Sequence, residues 1–117
     1  MMEGRKVSAI TTRTDTTKET LYTVPTKHHA LWELAYVISL TGNDSPSVFW
    51  YDVSKNTEYK ILGGKNLSAG DYVLLTNAVV AMEEGDEVRV QNSTTNSVTY
   101  LCTFEAKQNP ATQRYNG

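Results

Sequence analysis

Short runs in which apolar and polar residues alternate, separated by clusters of turn-forming residues, cover most of this chain. A period of two places successive side chains on opposite faces, as in a β-strand with one buried face. Glycine, proline, asparagine and aspartate between the runs indicate turns. The pattern predicts strands at residues 21–24, 30–40, 47–53, 58–62, 72–75, 88–91 and 98–105, with residues 78–80 extended between 72–75 and 88–91. About seven or eight short strands joined by turns predict an all-β fold, an antiparallel β-sandwich of jelly-roll type.

The longest apolar run, residues 30–40, fits either a helix or a strand. A helix would gather Leu31, Leu34, Ala35 and Ile38 on one face. A strand would align five bulky residues on one face, with Glu33 and Ser39 opposite: Trp32, Leu34, Tyr36, Ile38 and Leu40. Since the strand gathers more bulk on one side and a turn-rich segment follows, the strand is favoured.

A short motif occurs twice, as Leu67-Ser-Ala-Gly-Asp71 and, fifteen residues later, as Met82-Glu-Glu-Gly-Asp86. Each copy precedes a run with apolar alternation. Glycine adopts the positive φ of a tight turn without steric cost, and aspartate can accept hydrogen bonds from the backbone just after it. The motif therefore predicts a turn that begins a strand. Two copies do not make a solenoid, which needs at least three stacked repeats.

The chain divides into a central region and two polar ends. With 117 residues it has the length of one domain. Residues 1–18 are polar and threonine-rich, which predicts an N-terminal arm with at most one edge strand. The β-sandwich domain is predicted at residues 19–105. From residue 106 the chain is polar and without periodicity, which predicts a C-terminal tail at 106–117.

Composition and charge exclude several classes of partner. The net charge is −2 and lysine and arginine are scattered, whereas a nucleic-acid-binding protein normally carries a basic stripe. No apolar stretch is long enough for a membrane span, and the N-terminus lacks the apolar segment of a signal peptide. The single cysteine, Cys102, lies in an alternating run and is expected to be a small buried residue. Together these features predict synthesis in a reducing cytoplasm.

Candidate chemistry is sparse. His28 and His29 are adjacent, which is not the spacing of a helical zinc site, and they are expected on a surface loop. Asp71 and Asp86 could be calcium ligands beside Asp44 or Glu84, but turn capping explains both and no calcium-binding loop motif occurs. No nucleophile elbow, phosphate-binding loop or metalloprotease motif is present. The sequence predicts no catalytic residues, no metal and no cofactor, and hence a protein that is not an enzyme.

Three consecutive aromatic residues, Phe49, Trp50 and Tyr51, stand out on a predicted strand. Because side chains alternate, either Trp50 or the pair Phe49 and Tyr51 must face away from the core. That outer side chain could form a protein contact surface, a platform that stacks on sugars, or a surface covered by the N-terminal arm or a loop. In the C-terminal tail, Tyr115 could anchor the arm on a neighbouring subunit. These four residues are the candidate interface.

Several of these segments, in this order, resemble a family of small virion proteins of tailed phages. The resemblance covers roughly residues 19–105 and rests on Leu21-Tyr-Thr-Val-Pro25, an apolar strand ending near Thr41-Gly-Asn43, Tyr51-Asp52, the two Gly-Asp turns and a closing strand ending at Glu105. Such modules are β-sandwiches that decorate capsids or attach to necks, tails and fibres. No site residues transfer, because structure and not catalysis defines the family.

The resemblance implies a non-enzymatic structural protein of the virion, most simply a decoration or cement protein that binds and stabilises the capsid shell. Its expected partners are the major capsid protein or other virion proteins, and copies of itself in a homo-oligomer, with a trimer favoured. The alternatives are a neck, tail or fibre accessory protein and, from another class, a carbohydrate-binding module that uses Trp50 and Tyr51.

Overall fold

The computed structural model describes residues 4–77 and 79–110. These residues contain nine β-strands and no α-helix. The observed strands agree with the predicted ones to within a few residues. Their bounds are β1 Arg5–Arg13, β2 Glu19–Thr23, β3 His28–Ser39, β4 Ser47–Asp52, β5 Thr57–Leu62, β6 Tyr72–Leu75, β7 Val80–Met82, β8 Glu87–Gln91 and β9 Val98–Gln108.

The strands form two antiparallel sheets that pack as a sandwich. The five-stranded sheet has the order β1-β9-β3-β6, and β7 also pairs with β3. The four-stranded sheet has the order β2-β8-β4-β5. Since β6 pairs with residues 35–38 of β3 and β7 with residues 30–32, β6 and β7 act as one interrupted strand. With β6 and β7 counted as one, the chain changes sheet at every connection except the one between β4 and β5, which pair in the same sheet. This order of eight strand positions is the jelly-roll arrangement. The predicted fold class is confirmed.

The core lies between the two sheets, and β9 contributes most to it. Phe104 is fully buried and stacks on Tyr22 of the opposite sheet, with ring centroids 4.0 Å apart. Trp32 is also fully buried, 6.1 Å from the Phe104 ring. Each such side chain stabilises the fold by about 1.5–3 kcal/mol relative to an exposed one. Every second residue of β9 points inward: Val98, Tyr100, Cys102, Phe104 and Ala106.

A β-bulge in β3 changes the predicted arrangement of its side chains. Trp32 pairs with Phe104 of β9 and Leu34 pairs with Thr103, so Glu33 is an extra residue in β3. The bulge reverses the alternation. Trp32 therefore faces the core, while Leu34 and the alternate residues after it face outward. The prediction of a strand is confirmed, but the prediction that Trp32 shares a face with Leu34, Tyr36 and Ile38 is wrong.

Both copies of the repeated motif form the same turn. Gly70 and Gly85 have φ values of +86° and +87°, and the Leu67 and Met82 side chains are buried. In the first copy, Asp71 Oδ2 accepts a hydrogen bond from the backbone N–H of the residue three positions earlier, at 3.0 Å. The same bond forms at Asp86, also at 3.0 Å. The aspartates therefore bond the backbone before them in the chain. The predicted bond to the backbone just after them is not the one that closes the turn.

The two ends of the chain contribute strands to the five-stranded sheet. Within residues 1–18, expected as an arm with at most one edge strand, residues 5–13 form the edge strand β1, which pairs with β9 along its whole length. At the other end, β9 continues to Gln108, beyond the predicted end of the sandwich. His28 and His29 are the first residues of β3, so their predicted position in a loop is wrong. Residues 111–117 lie outside the described part.

Candidate functional site

The outer face of the five-stranded sheet carries apolar side chains in a continuous band. One row crosses four neighbouring strands, since Ile10 pairs with Leu101, Leu101 with Tyr36, and Tyr36 with Leu74. The next row adds Ile38 and Tyr72, paired on β3 and β6. We call this surface the outer apolar face: Ile10, Leu34, Tyr36, Ile38, Tyr72, Leu74 and Leu101.

Much of this surface is exposed. Ile10, Tyr72 and Leu74 expose 65%, 59% and 49% of their surface. The Tyr36 and Tyr72 rings lie 5.6 Å apart and form the centre of the aromatic part. Single exposed apolar residues are ordinary, whereas a contiguous band on a sheet is a candidate interaction surface.

Charged side chains on this sheet face lie together at one end. Lys6 Nζ contacts carboxylate oxygens of Glu33 at 2.8 Å and of Glu105 at 3.8 Å. Toward the other end the polar residues between the apolar ones are hydroxyls, and Thr12 and Thr99 hydrogen-bond each other at 2.7 Å. The apolar part of the face is therefore uncharged, and burying it removes no ion from water.

The aromatic strand β4 is divided between two faces, as its alternation predicts. Trp50 lies on the inner side, where Nε1 donates to Asp86 Oδ2 at 3.2 Å. Its ring stacks on Tyr59, with centroids 5.2 Å apart. Phe49 and Tyr51 lie on the outer face of the four-stranded sheet. Trp50 and Tyr51 thus do not form one platform, and the fourth predicted contact, Tyr115, lies outside the described residues.

Cations cover the two outward aromatic rings. Phe49 is only 7% exposed. The Nζ atoms of Lys18 and Lys60 lie 4.2 and 5.7 Å from its ring centroid. The Arg89 guanidinium lies 4.0 Å from the Tyr51 centroid. Since Lys18 belongs to the N-terminal segment, the structure favours the third of the predicted alternatives for Phe49, coverage by that segment.

An ion-pair network surrounds these rings. Glu58 contacts Lys18 at 2.7 Å and Arg89 at 3.1 Å, and Arg89 also contacts Glu87 at 2.8 Å. Burial alone would raise the pKa of Glu58, but the hydrogen bonds from Lys18 and Arg89 outweigh it and the pKa lies below its usual range. The outer face of the four-stranded sheet is thus charged and suited to solvent, in contrast to the outer apolar face.

The candidate chemical groups serve the fold. Asp44 is buried and accepts hydrogen bonds from the backbone N–H groups of Ser93 and Thr94 at 3.1 and 2.8 Å, which ties two loops together. Asp86 bonds the backbone of Val53 at 3.1 Å in addition to its own turn. His29 Nδ1 lies 2.7 Å from the side-chain oxygen of Asn109.

Two features are absent from residues 4–77 and 79–110. No group of three or more histidine, cysteine, aspartate or glutamate side chains is placed to hold a metal ion there. Nor does that part of the chain contain a helix long and apolar enough to cross a membrane.

The outer apolar face was not predicted from the sequence, although one signal for it exists. Residues 34–38 alternate bulky with small side chains, and the small ones, Ala35 and Val37, face the core. An alternation with the large residues outward indicates a second buried surface. Simple alternation places Trp32 on the same face as Leu34. The signal can therefore be recognised only if the change of face between these two residues is recognised first.

Comparison with known proteins shows the fold. No protein-family model matches the sequence, and no curated protein matches it. Among solved structures, a Bacillus endospore appendage protein, described as forming disulfide-linked pili, has a TM-score of 0.56 at 13% identity, over 93% of this chain and 89% of that chain. A chain from the structure of infectious bursal disease virus, Gx strain, has a TM-score of 0.58 at 6% identity. That match covers 96% of this chain and 33% of the viral one.

A third similar structure is the core of Drosophila NLP, described in terms of pentamer formation and histone binding. Its TM-score is 0.54 at 14% identity, over 90% of this chain and all of that chain. At such identities the likeness concerns the fold alone. The fold of this chain is thus shared with proteins of a pilus, a virus and an oligomeric core.

Proposed function

We propose that this chain is a non-enzymatic structural protein of a tailed phage virion and that it decorates the capsid shell. The outer apolar face carries the proposal. A row of four apolar side chains crosses β1, β9, β3 and β6, and three large residues of the face expose about half of their surface or more. A surface of this kind is stabilised by contact with another protein surface.

The physical logic of decoration is additive. Each copy buries a modest apolar area, and the symmetry of a shell repeats that contact many times. A protein that binds the expanded shell better than its precursor stabilises the expanded state by linkage. The buried carboxylates of Asp44 and Asp86 accept hydrogen bonds from loop backbone, which suits a structural module. The charged face around Arg89 then points toward solvent.

The proposed partners are the major capsid protein or other virion proteins, and copies of this chain. The N-terminal segment contributes directly to the contact, since β1 carries Ile10. The C-terminal residues 111–117, with Tyr115, form the second proposed contact. The protein is made in the host cytoplasm and ends in the virion. No nucleic acid, membrane, metal or cofactor takes part.

The state of the only cysteine distinguishes this assembly from a disulfide-linked one. Cys102 is 1% exposed on the inner face of β9. Burial raises the pKa of its thiol to about 12, which suppresses the reactive thiolate. This burial disfavours a disulfide between copies, and the proposed contacts are non-covalent. The same inertness, with His28 and His29 held at the start of a strand, supports a role outside catalysis.

A neck, tail or fibre position is the alternative within the same class. The copy number separates the two. Quantitative mass spectrometry of purified particles should find this chain in hundreds of copies per particle if it decorates the shell. A dozen copies or fewer would assign it to the tail region, and its absence from purified particles would contradict a virion role.

The carbohydrate-binding alternative receives less support. Its two proposed stacking residues, Trp50 and Tyr51, lie on opposite faces of β4. The exposed ring next to Trp50 is instead Tyr59, which is 40% exposed and stacks on it. Titrating tryptophan fluorescence with host polysaccharide tests this pair directly, since a sugar stacked beside Trp50 would shift or quench its emission.

A further inference from the structure

We infer that the outer apolar face is the contact between two copies of this chain, packed sheet on sheet about a two-fold axis. The inference deepens the proposed function and rests on its premise that the protein assembles through this face. It names the first partner as a second copy of the chain.

The shape of the surface selects the kind of partner. The apolar row runs across four strands, from Ile10 at one edge to Leu74 at the other, and not along a groove between two elements. A single extended peptide or one helix would cover only part of that width. A second sheet stacked at about 10 Å covers all of it, as in ordinary sheet-on-sheet packing. Each copy of this chain presents such a sheet.

The distribution of charge permits a self-complementary contact. The apolar end contains only apolar and hydroxyl side chains, so a two-fold axis through it opposes no like charges. At the other end, Lys6 lies between Glu33 and Glu105 and forms its ion pairs within its own chain. By contrast, a contact through the other sheet would bury the network of Lys18, Glu58 and Arg89, and desolvating it is costly. The outer apolar face is therefore the favoured surface for association.

The whole outer face of this sheet, with its charged end included, is close in area to what a stable dimer needs. In this sheet β1, β9 and β3 have 9, 11 and 12 residues, and β6 and β7 together cover the fourth position. At about 3.4 Å per residue and about 4.8 Å per strand, the sheet spans roughly 600 Å² in projection. Side-chain relief adds to the accessible area, and a standard interface buries about 800 Å² per partner.

The two-fold arrangement changes the expected oligomer. The sequence alone favoured a trimer. An isologous contact between identical sheet faces closes with two copies, so this face predicts a dimer. Higher assemblies on a particle would then be built from these pairs.

Analytical ultracentrifugation of the full chain tests the inference. The test variant is Ile10→Glu with Leu74→Glu, two exposed residues on opposite edges of the face. The matched control is Tyr59→Glu, an exposed residue on the edge strand of the other sheet. Since buried acidic side chains oppose association, the double variant should raise the dimer Kd by about 100-fold or more, and the control should leave it unchanged.

A second measurement keeps the result independent of folding defects in the double variant. Tyr72 is 59% exposed in a single chain and would be covered in the dimer. Nitration of Tyr72 in the wild-type protein should be slow at concentrations where the dimer forms and faster on dilution, while nitration of Tyr59 should not change. Circular dichroism confirms that each variant is folded.

The inference is overturned if the wild-type protein is a monomer or a trimer at concentrations near 100 µM, or if the folded double variant still forms the dimer. These outcomes are separate from a failure of the proposed function. A monomer found in hundreds of copies on particles would overturn the two-fold contact alone. A dimer that is absent from particles would overturn the virion role alone.

Discussion

Trp32 and Leu34 lie on opposite faces of the five-stranded sheet although only Glu33 separates them. In a regular strand two such residues share a face. The bulge at Glu33 directs Trp32 into the core beside Phe104 and turns Leu34, Tyr36 and Ile38 outward. One strand thus places its largest side chain, Trp32, in the core before the bulge and its bulky side chains on the outer apolar face after the bulge, where the small Ala35 and Val37 face the core. The bulge creates the surface on which the proposed function depends.

Deleting Glu33 should severely destabilise the protein. Without the extra residue, either Trp32 must leave the core or Ala35 and Val37 must turn outward. Loss of a buried tryptophan costs about 3–5 kcal/mol. Urea unfolding followed by tryptophan fluorescence measures the change. Glu33→Ala keeps the bulge and loses only an exposed ion pair, so it should unfold near the wild-type midpoint. A deletion variant as stable as the wild type would contradict this view of the bulge.

The two aspartates of the repeated turn should differ in their importance for stability. Asp86 is buried and accepts hydrogen bonds from Glu83 N, Val53 N and Trp50 Nε1. Asp71 is exposed, and its carboxylate accepts the bond from Ser68 N. Asp86→Ala should cost about 3 kcal/mol or more because it leaves buried donors unpaired, and Asp71→Ala about 1 kcal/mol or less. Chemical denaturation measures both losses of unfolding free energy. Equal losses would show that only the hydrogen bond within the turn contributes to stability.

Two core tyrosines should respond oppositely to loss of the hydroxyl. Tyr100 is fully buried and its hydroxyl donates to Asn92 Oδ1 at 2.6 Å. The buried hydroxyl of Tyr22 has no hydrogen-bond partner within the described ranges. Tyr100→Phe should therefore destabilise by about 1–2 kcal/mol, whereas Tyr22→Phe should leave stability unchanged or raise it by up to about 1 kcal/mol. Thermal unfolding of the two variants measures both changes in stability. A larger loss of stability in Tyr22→Phe than in Tyr100→Phe would be incompatible with these contacts.

Cys102 should make stability fall at alkaline pH. Burial raises the pKa of its thiol from 9.0 to about 12 in the folded protein. Between these values the unfolded chain loses this proton and the folded chain keeps it. The stabilisation is therefore complete below about pH 9 and is lost as the pH rises toward 12, by at most about 1.4 kcal/mol per pH unit.

The matched variant for that prediction is Cys102→Ala. The buried Tyr100 is present in both proteins, so a difference between their pH curves comes from the thiol. Its unfolding free energy should fall less steeply than that of the wild type between pH 9 and 11. Parallel curves would mean that the thiol does not carry the effect. In addition, iodoacetamide should label native Cys102 slowly at pH 8 and the urea-unfolded chain quickly.

Removing residues 111–117 should weaken incorporation into particles without unfolding the domain. The truncation keeps β9 and the hydrogen bond from Asn109 N to Lys27 O at 2.8 Å. Circular dichroism and the melting temperature should remain as in the full chain, while occupancy on particles falls. Tyr115→Ala in the full chain is the narrower test of the same contact. Unchanged occupancy in both variants would exclude the C-terminal arm as a contact.

Local sequence signals predicted the features that depend on neighbouring residues. The Gly-Asp turns at Gly70 and Gly85 follow from the conformational freedom of glycine, and the strand β9 follows from simple alternation. The same rule separated Trp50 from Phe49 and Tyr51. Each of these features depends only on residues close together in the chain, so the local sequence is enough to predict it.

Features that depend on partners distant in the chain could not be predicted. The bulge at Glu33 is defined by the register of β3 against β9, which are far apart in sequence. The row from Ile10 to Leu74 appears only when four strands are placed side by side. Lys18 covers Phe49 only because β2 lies in the same sheet as β4. The sequence pointed to the aromatic strand β4 as the interface, whereas the outer apolar face lies on the other sheet. That difference depends on how distant strands pair, and a local pattern does not reveal it.

The most direct test of a decorating role is binding of the purified protein to capsid shells. Shells of the virus that encodes it, assembled without this chain, would be sedimented with increasing amounts of protein before and after expansion. We expect saturable binding to expanded shells and weaker binding to unexpanded ones. The variant with Ile10→Glu and Leu74→Glu should also bind more weakly, because a single chain lacks the second shell contact that a pair provides. Failure of the wild-type protein to sediment with expanded shells at tens of micromolar would contradict the decorating role.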